Sequence, residues 1–138
     1  MIKNAKSYMR IAKEWSTNSQ AQRTKVGCII VKDHRIISDG YNGMPRGFDN
    51  SCEHFIERKL VTKPEVLHAE SNAIAKLATS TISSEGSILF TTLSPCWDCA
   101  KLIIQCGINE VYYNDEYKTT EGIILLNRAH IKTHNLHA

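Results

Sequence analysis

Apolar side chains recur at helical spacing at the start of the chain. Ile2, Ala5, Tyr8, Met9, Ala12 and Trp15 form one stripe, which predicts an amphipathic helix over 2–17. The period then changes. KVGCIIVK (25–32) is a short apolar, β-branched run, and RIISDGYN (35–42) follows it across Asp33-His34, so the two read as a strand hairpin. Gly43, Pro45, Gly47, Asp49 and Asn50, with Pro64 further on, predict a long loop over 43–66. HAESNAIAKLATS (68–80) returns to helical spacing, with Ala73, Ile74, Leu77 and Ala78 inward. SILFTTL (87–93) predicts a buried strand. Pro95 then opens a helix through Cys106, stopped by Gly107. NEVYYND (109–115) predicts another strand, followed by a helix near 120–129 and a short strand near 130–134. From about residue 67 onward strand and helix alternate, which argues for a partly parallel sheet with helices on its faces.

Composition narrows the class. At 138 residues the chain suits one domain, 1–138, with a proper core, and no repeat, low-complexity tract or linker divides it. No run approaches the roughly 18 apolar residues of a membrane span. MIKNAKSYMRIAKEW also lacks the apolar middle of a signal peptide. A net charge of +3 suits small anionic ligands and gives no argument for nucleic acid. Five cysteines, an odd number without an export signal, predict a reducing cytoplasm, where structural disulfides are rare.

The chemistry concentrates at LSPCWDCA (93–100). Cys96 and Cys99 admit three readings: a disulfide, a thioredoxin-like redox pair at a strand-to-helix junction, or half of a metal site. The spacing brings two thiolates onto the first turn of a helix, where the dipole favours negative charge, and this is a good half-site for zinc. VLHAES (66–71) supplies the other half, because His68 and Glu70 begin a helix that directly precedes the strand leading to Pro95. Two helix starts would then face one point, with His68, Cys96 and Cys99 as zinc ligands and a fourth position left for water, the mark of a catalytic zinc. Glu70, beside the metal and not bound to it, can take the water's proton and pass it to a ring nitrogen and a leaving amine. His-x-Glu followed by Pro-Cys-x-x-Cys is the arrangement of the zinc deaminases.

GYNGMPRGFDN (40–50), VLHAESNAI (66–74) and TLSPCWDCAKLIIQCGI (92–108) resemble the cytidine deaminase superfamily, and more closely its deoxycytidylate deaminases, including small phage and bacterial members. The tail VYYNDEYKTTEGIILLNRAHI (111–131) follows the same pattern. The resemblance implies a three-layer α/β/α sandwich around a mixed five-stranded sheet. It also implies zinc-dependent hydrolysis of dCMP to dUMP and ammonia, supplying dUMP for thymidylate synthesis. By the same resemblance Asn42 binds the deoxyribose, and the backbone at Ala69 and Ser94 holds the pyrimidine's polar groups. Arg23 is the first candidate for the 5′-phosphate, with Tyr117 and Lys118 behind it. The family further implies a homo-hexamer, activated by dCTP and inhibited by dTTP with magnesium, and the loop carrying Gly43 and Arg46 is where such an effector is expected.

Blander readings stand beside these. GYNGMPRG can be a turn cluster, and Cys28 and Cys106 plain core; Trp97 can be packing against the pocket wall. Cys52 and His54 lack the partners for a second zinc, and His130, His134 and His137 read as surface residues. The rival functions are a nucleoside or tRNA adenosine deaminase of the same superfamily, and a zinc-stabilised binding module, which would need four protein ligands.

Overall fold

A computed structural model describes residues 1–137. Five strands form one mixed sheet in the order β2-β1-β5-β6-β7: β1 (Gly27–Lys32), β2 (Arg35–Tyr41), β5 (Ile88–Leu93), β6 (Glu110–Asp115) and β7 (Lys132–Asn135). β1 runs antiparallel to both its neighbours, whereas β5, β6 and β7 are parallel. Helices α3 (Trp97–Gln105) and α4 (Glu121–Arg128) make the two parallel crossovers and pack on each other. Both crossovers step the same way across the sheet, and the fixed hand of such connections sends both helices to one face. α2 (Ala69–Ala78) joins them there against β1 and β2, while α1 (Ala5–Ser16) covers the opposite face. The three-layer α/β/α sandwich around a mixed five-stranded sheet is therefore present.

The alternation of side chains along each strand divides the core in two. Ile29, Val31, Phe90 and Tyr112 meet α1, and Cys28, Ile30, Leu89 and Val111 meet the three-helix face. Cys28 is accordingly plain core, and Cys106 closes α3 half-buried. No helix among the described residues is long and apolar enough to cross a membrane.

Three sequence expectations change. The 43–66 loop contains a hairpin, β3 (Glu53–Ile56) and β4 (Lys59–Thr62). Its turn is made by Glu57 and Arg58, both at positive φ (49° and 67°), without the Asn-Gly or Gly-Gly signal that such turns usually carry. The first helix begins at Ala5, because Asn4 sits in the left-handed region at φ 67°; Ile2 instead donates its N–H to the Tyr112 hydroxyl at 2.9 Å. His134 is half-buried, with defined partners: its ring stacks on Tyr112 at 4.3 Å and its Nε2 lies 2.7 Å from Glu110 Oε2.

Candidate metal centre and substrate cleft

The site lies beyond the carboxyl end of β5, where open α/β sheets characteristically bind ligands. Two helices start there. His68 is the N-cap of α2 and Cys96 the N-cap of α3, both with extended backbone (ψ 159° and 174°), which aims their side chains off the helix ends. Cys99 comes from the first turn of α3, and its N–H donates to Cys96 Sγ at 3.5 Å.

The three donor atoms converge. His68 Nδ1 is 3.3 Å from Cys99 Sγ and 3.4 Å from Cys96 Sγ, and all three ligand atoms lie within 4.8 Å of one another. A tetrahedral zinc with Zn–S of about 2.3 Å and Zn–N of about 2.0–2.1 Å has N···S edges of roughly 3.6 Å, so the set fits zinc. The three side chains also polarise one another. The Cys96 thiol is pulled down to about 4, first by a hydrogen bond from Cys99 and then, against burial, by His68. Cys99 holds its proton because it donates that bond and is buried, and His68 is raised because it bonds to Cys96. Among the described residues no second group of at least three such ligands gathers. Cys52 is buried with its thiol 3.5 Å from the Asn50 carbonyl, and His54 is exposed.

Glu70 is buried in the first turn of α2. Its nearest hydroxyl, Thr91 Oγ1, is 3.4 Å away and already donates to the Leu93 carbonyl at 2.9 Å, so it holds the carboxylate only weakly. Burial raises Glu70 to about 6, against the opposing pull of backbone bonding and of His68. A carboxyl in that range can both take and give a proton near neutral pH.

A cleft of about 370 Å³ opens from this corner, and it collects the expected substrate residues. Arg23, Asn42, His68, Ala69, Glu70, Ser94, Cys96, Tyr117 and Lys118 all line it. Each follows or precedes a sheet strand or a helix start, so the fold gathers residues spread over most of the chain. Ala69, the first residue of α2, offers an N–H with no partner inside its own helix. Ser94 Oγ accepts from the Tyr117 N–H at 2.6 Å and its own N–H donates to Asp115 at 2.8 Å, which ties the loop after β6 to the ligand loop. Lys118 Nζ stands 5.7 Å from the centre of the Tyr117 ring. The Asn42 amide is already engaged: Oδ1 accepts from Val26 N–H at 2.9 Å and Nδ2 donates to the Thr24 carbonyl at 2.8 Å. One N–H of Asn42 remains for a ligand.

Gly43 and Arg46 lie outside the cleft wall, although Gly43 exchanges backbone hydrogen bonds with Leu67 (3.0 and 2.8 Å), immediately before His68. Trp97 stands exposed between the ligands and does not pack into the wall. Sequence reasoning missed Glu53 and Thr62, which the unforeseen hairpin brings into the cleft, and gave Cys52, just before it, no place there. The segment EHFIERKLVT that follows Cys52 has no apolar/polar alternation to announce them.

The chain matches the family model described as the cytidine and deoxycytidylate deaminase zinc-binding region over residues 2–115. It is 37% identical over 132 residues to the deoxycytidylate deaminase of Homo sapiens, covering 88% of this chain and 73% of that one. It is 34% identical over 151 residues to the deoxycytidylate deaminase of Enterobacteria phage T4, covering 82% and 78%. Its fold matches the crystal structure of dCMP deaminase from the cyanophage S-TIM5 in complex with dCMP and dUMP, with a TM-score of 0.91, 43% identity and 99% of each chain covered. Two helix starts converging on a zinc-shaped gap, the matching family model and whole-chain likeness agree: the chain belongs to the deoxycytidylate deaminases of the cytidine deaminase superfamily.

Proposed function

We propose that the protein, acting as one zinc-dependent domain, hydrolyses dCMP to dUMP and ammonia. The observation that carries this reading is the meeting of His68, Cys96 and Cys99 beside a buried Glu70, at a cleft that Arg23, Tyr117 and Lys118 also line. The cyanophage relative that shares the fold along its whole length is a dCMP deaminase in complex with dCMP and dUMP.

His68, Cys96 and Cys99 would hold the zinc, which would supply a water with its pKa lowered to about 7. Glu70 would take a proton from the attacking water and deliver it to the ring nitrogen next to the amino-bearing carbon. It then serves the departing amine. A C–O bond forms and the C–N bond breaks, so dCMP and water become dUMP and ammonia. The Ala69 N–H, unpartnered in its helix, suits the ring carbonyl, and the Arg23 guanidinium suits the 5′-phosphate through parallel charge-assisted hydrogen bonds. Arg23 Nη1 bonds to Thr62 Oγ1 at 3.2 Å, which restrains it at the cleft mouth. Five unpaired cysteines agree with a reducing compartment.

Regulation by dCTP and dTTP with magnesium belongs to the same proposal. The Gly43–Leu67 bridge supports it, because it ties the loop carrying Arg46 to the residue before His68.

The test compares kcat/KM for dCMP and deoxycytidine on the wild type and on Arg23→Ala. A charge-assisted contact of about 1.5–3 kcal/mol corresponds to roughly 10- to 150-fold in specificity. The wild type is expected to prefer dCMP by at least that factor, and the variant to lose much of the gap. Equal rates on the wild type would move the chain to the nucleoside deaminases. A gap preserved in Arg23→Ala would remove only Arg23 from the phosphate site.

A further inference from the structure

Glu53 is a buried carboxylate in the cleft wall that the reaction above does not use. It opens β3, directly opposite Thr62 in the hairpin register, so the same rung carries Glu53 and the hydroxyl that restrains Arg23. Its Oε2 accepts from the N–H groups of Gln22 (2.9 Å) and Arg23 (3.0 Å) and thereby fixes the Arg23 segment. Its Oε1 is buried and has no hydrogen-bond partner among the described residues. The Cys52 thiol beside it is kept neutral, by burial first and by the Glu53 charge second.

A buried acceptor without a donor is destabilising, the more so when it is charged. On a 2′-deoxycytidine nucleotide the hydrogen-bond donors are few. The ring amino group belongs at the zinc and Glu70 end, and an ionised phosphate donates nothing and would be repelled by a carboxylate. The 3′-hydroxyl is what remains. Asn42 has one N–H left, and its neutral Oδ1, which already accepts from Val26, is a weaker acceptor than a carboxylate oxygen without a partner. That N–H can meet the hydroxyl's oxygen but cannot take its proton.

We propose that Glu53 is the specificity-determining residue for the sugar: Oε2 holds the Arg23 segment while Oε1 accepts a hydrogen bond from the 3′-hydroxyl of the substrate. The proposal rests on the nucleotide reading of this cleft, but it fails or stands separately from the phosphate assignment. It makes Glu53 a double-duty group, and the two duties separate experimentally.

The experiment measures kcat/KM for dCMP and for 2′,3′-dideoxycytidine 5′-monophosphate, on the wild type and on Glu53→Gln, with zinc content and melting temperature followed alongside. The wild type is expected to favour dCMP by roughly 10- to 150-fold, the range of a hydrogen bond to a charged group. In Glu53→Gln the dCMP value should fall toward the dideoxy value, bringing the ratio within about threefold, with zinc retained. A purely structural role through the Arg23 segment would lower both substrates alike and keep the ratio, and that result overturns the proposal. So does a wild type that treats the two compounds equally. If Glu53→Gln does not fold, Glu53→Asp keeps the charge, withdraws it by one methylene and carries the same two outcomes. Should the wild type show no preference for dCMP over deoxycytidine, the phosphate reading falls, and the pair deoxycytidine and 2′,3′-dideoxycytidine still decides Glu53.

Discussion

The two faces of the sheet are built from different side chains. Under α1, Tyr8 and Met9 pack on Ile29, Val31, Phe90 and Tyr112; the Phe90 and Tyr112 rings stack at 4.7 Å, and Tyr8 tilts against Phe90 at 5.2 Å. Under α2 and α3, Ala69, Ala73 and Ala100 pack together with Leu77 and Ile103 against Cys28, Ile30 and Leu89. Gly40 and Gly122 bring backbones closer still. A Cβ on Gly40 would lie 2.5 Å from the Ala69 carbonyl oxygen, and one on Gly122 would lie 2.0 Å from that of Pro95. Aromatic rings mark the first face, although Gly27 also lets α1 approach closely, a Cβ there lying 2.0 Å from the Ala12 carbonyl oxygen; on the second face the close approaches fall beside the ligand-bearing helix starts. Two helix ends can place three ligand atoms within 4.8 Å of one another only where little separates the helices from the sheet and from each other. Stability and chemistry are thus divided between the faces of one sheet.

The largest effect should come from the metal itself. Cys99→Ala is expected to take zinc from near one per chain to a small fraction and to abolish turnover, measured by metal analysis beside ammonia release. Unchanged zinc would remove Cys99 from the ligand set. Next comes Glu70→Gln, which should retain zinc and fold while losing about 10²–10⁴-fold in kcat, or more, since one group serves several proton transfers. A variant keeping over about a tenth of the wild-type rate would show that Glu70 is not the proton carrier.

On the opposite face, Phe90→Ala should cost about 3–5 kcal/mol of unfolding free energy by denaturant titration, with zinc stoichiometry at 25 °C unchanged. If zinc were lost in step with stability, the division between faces would not hold. The smallest effect sharpens the comparison most. Gly122→Ala lies outside the cleft, yet its methyl group would press on the backbone of Pro95 and Cys96. Displacing a group that supports a ligand is worth about 10- to 100-fold in metal affinity. Competition against a chelator should therefore show zinc held about tenfold more weakly, with little change in the α1 face. Wild-type affinity in Gly122→Ala would mean that α4 does not set the ligand loop.

The sequence alone carried the metal centre because its information is local. His68 with Glu70, and Cys96 with Cys99, are each within a single helical turn, and a helix start places such neighbours by geometry that needs no tertiary help. The strands were legible for the same reason: β1 is buried along nearly its whole length and reads as a continuous apolar run. The residues around the substrate were harder, since Arg23, Asn42, Ser94 and Tyr117 were assigned by likeness to a family and only the folded chain shows them in one cleft. The hairpin was missed because its exposed Phe55 and Ile56 break the expected burial pattern and its turn uses Glu57 and Arg58 where glycine or asparagine is usual. Missing the hairpin meant missing Glu53 and Thr62.

What the sequence determined by itself is therefore the chemistry of short range: a His-Cys-Cys triad with zinc-ligand spacing, a carboxylate beside it, and strands and helices in alternation. What only the tertiary structure decided is the chemistry of long range. Glu53 bonds to backbone 31 and 30 residues away, and Asn42 is engaged by residues 16 and 18 positions back. Hydrogen-bond commitments of that kind have no periodicity along the chain, so no pattern of side chains announces them. They exist once the sheet has brought the segments together, and they decide which polar atoms are left for a ligand.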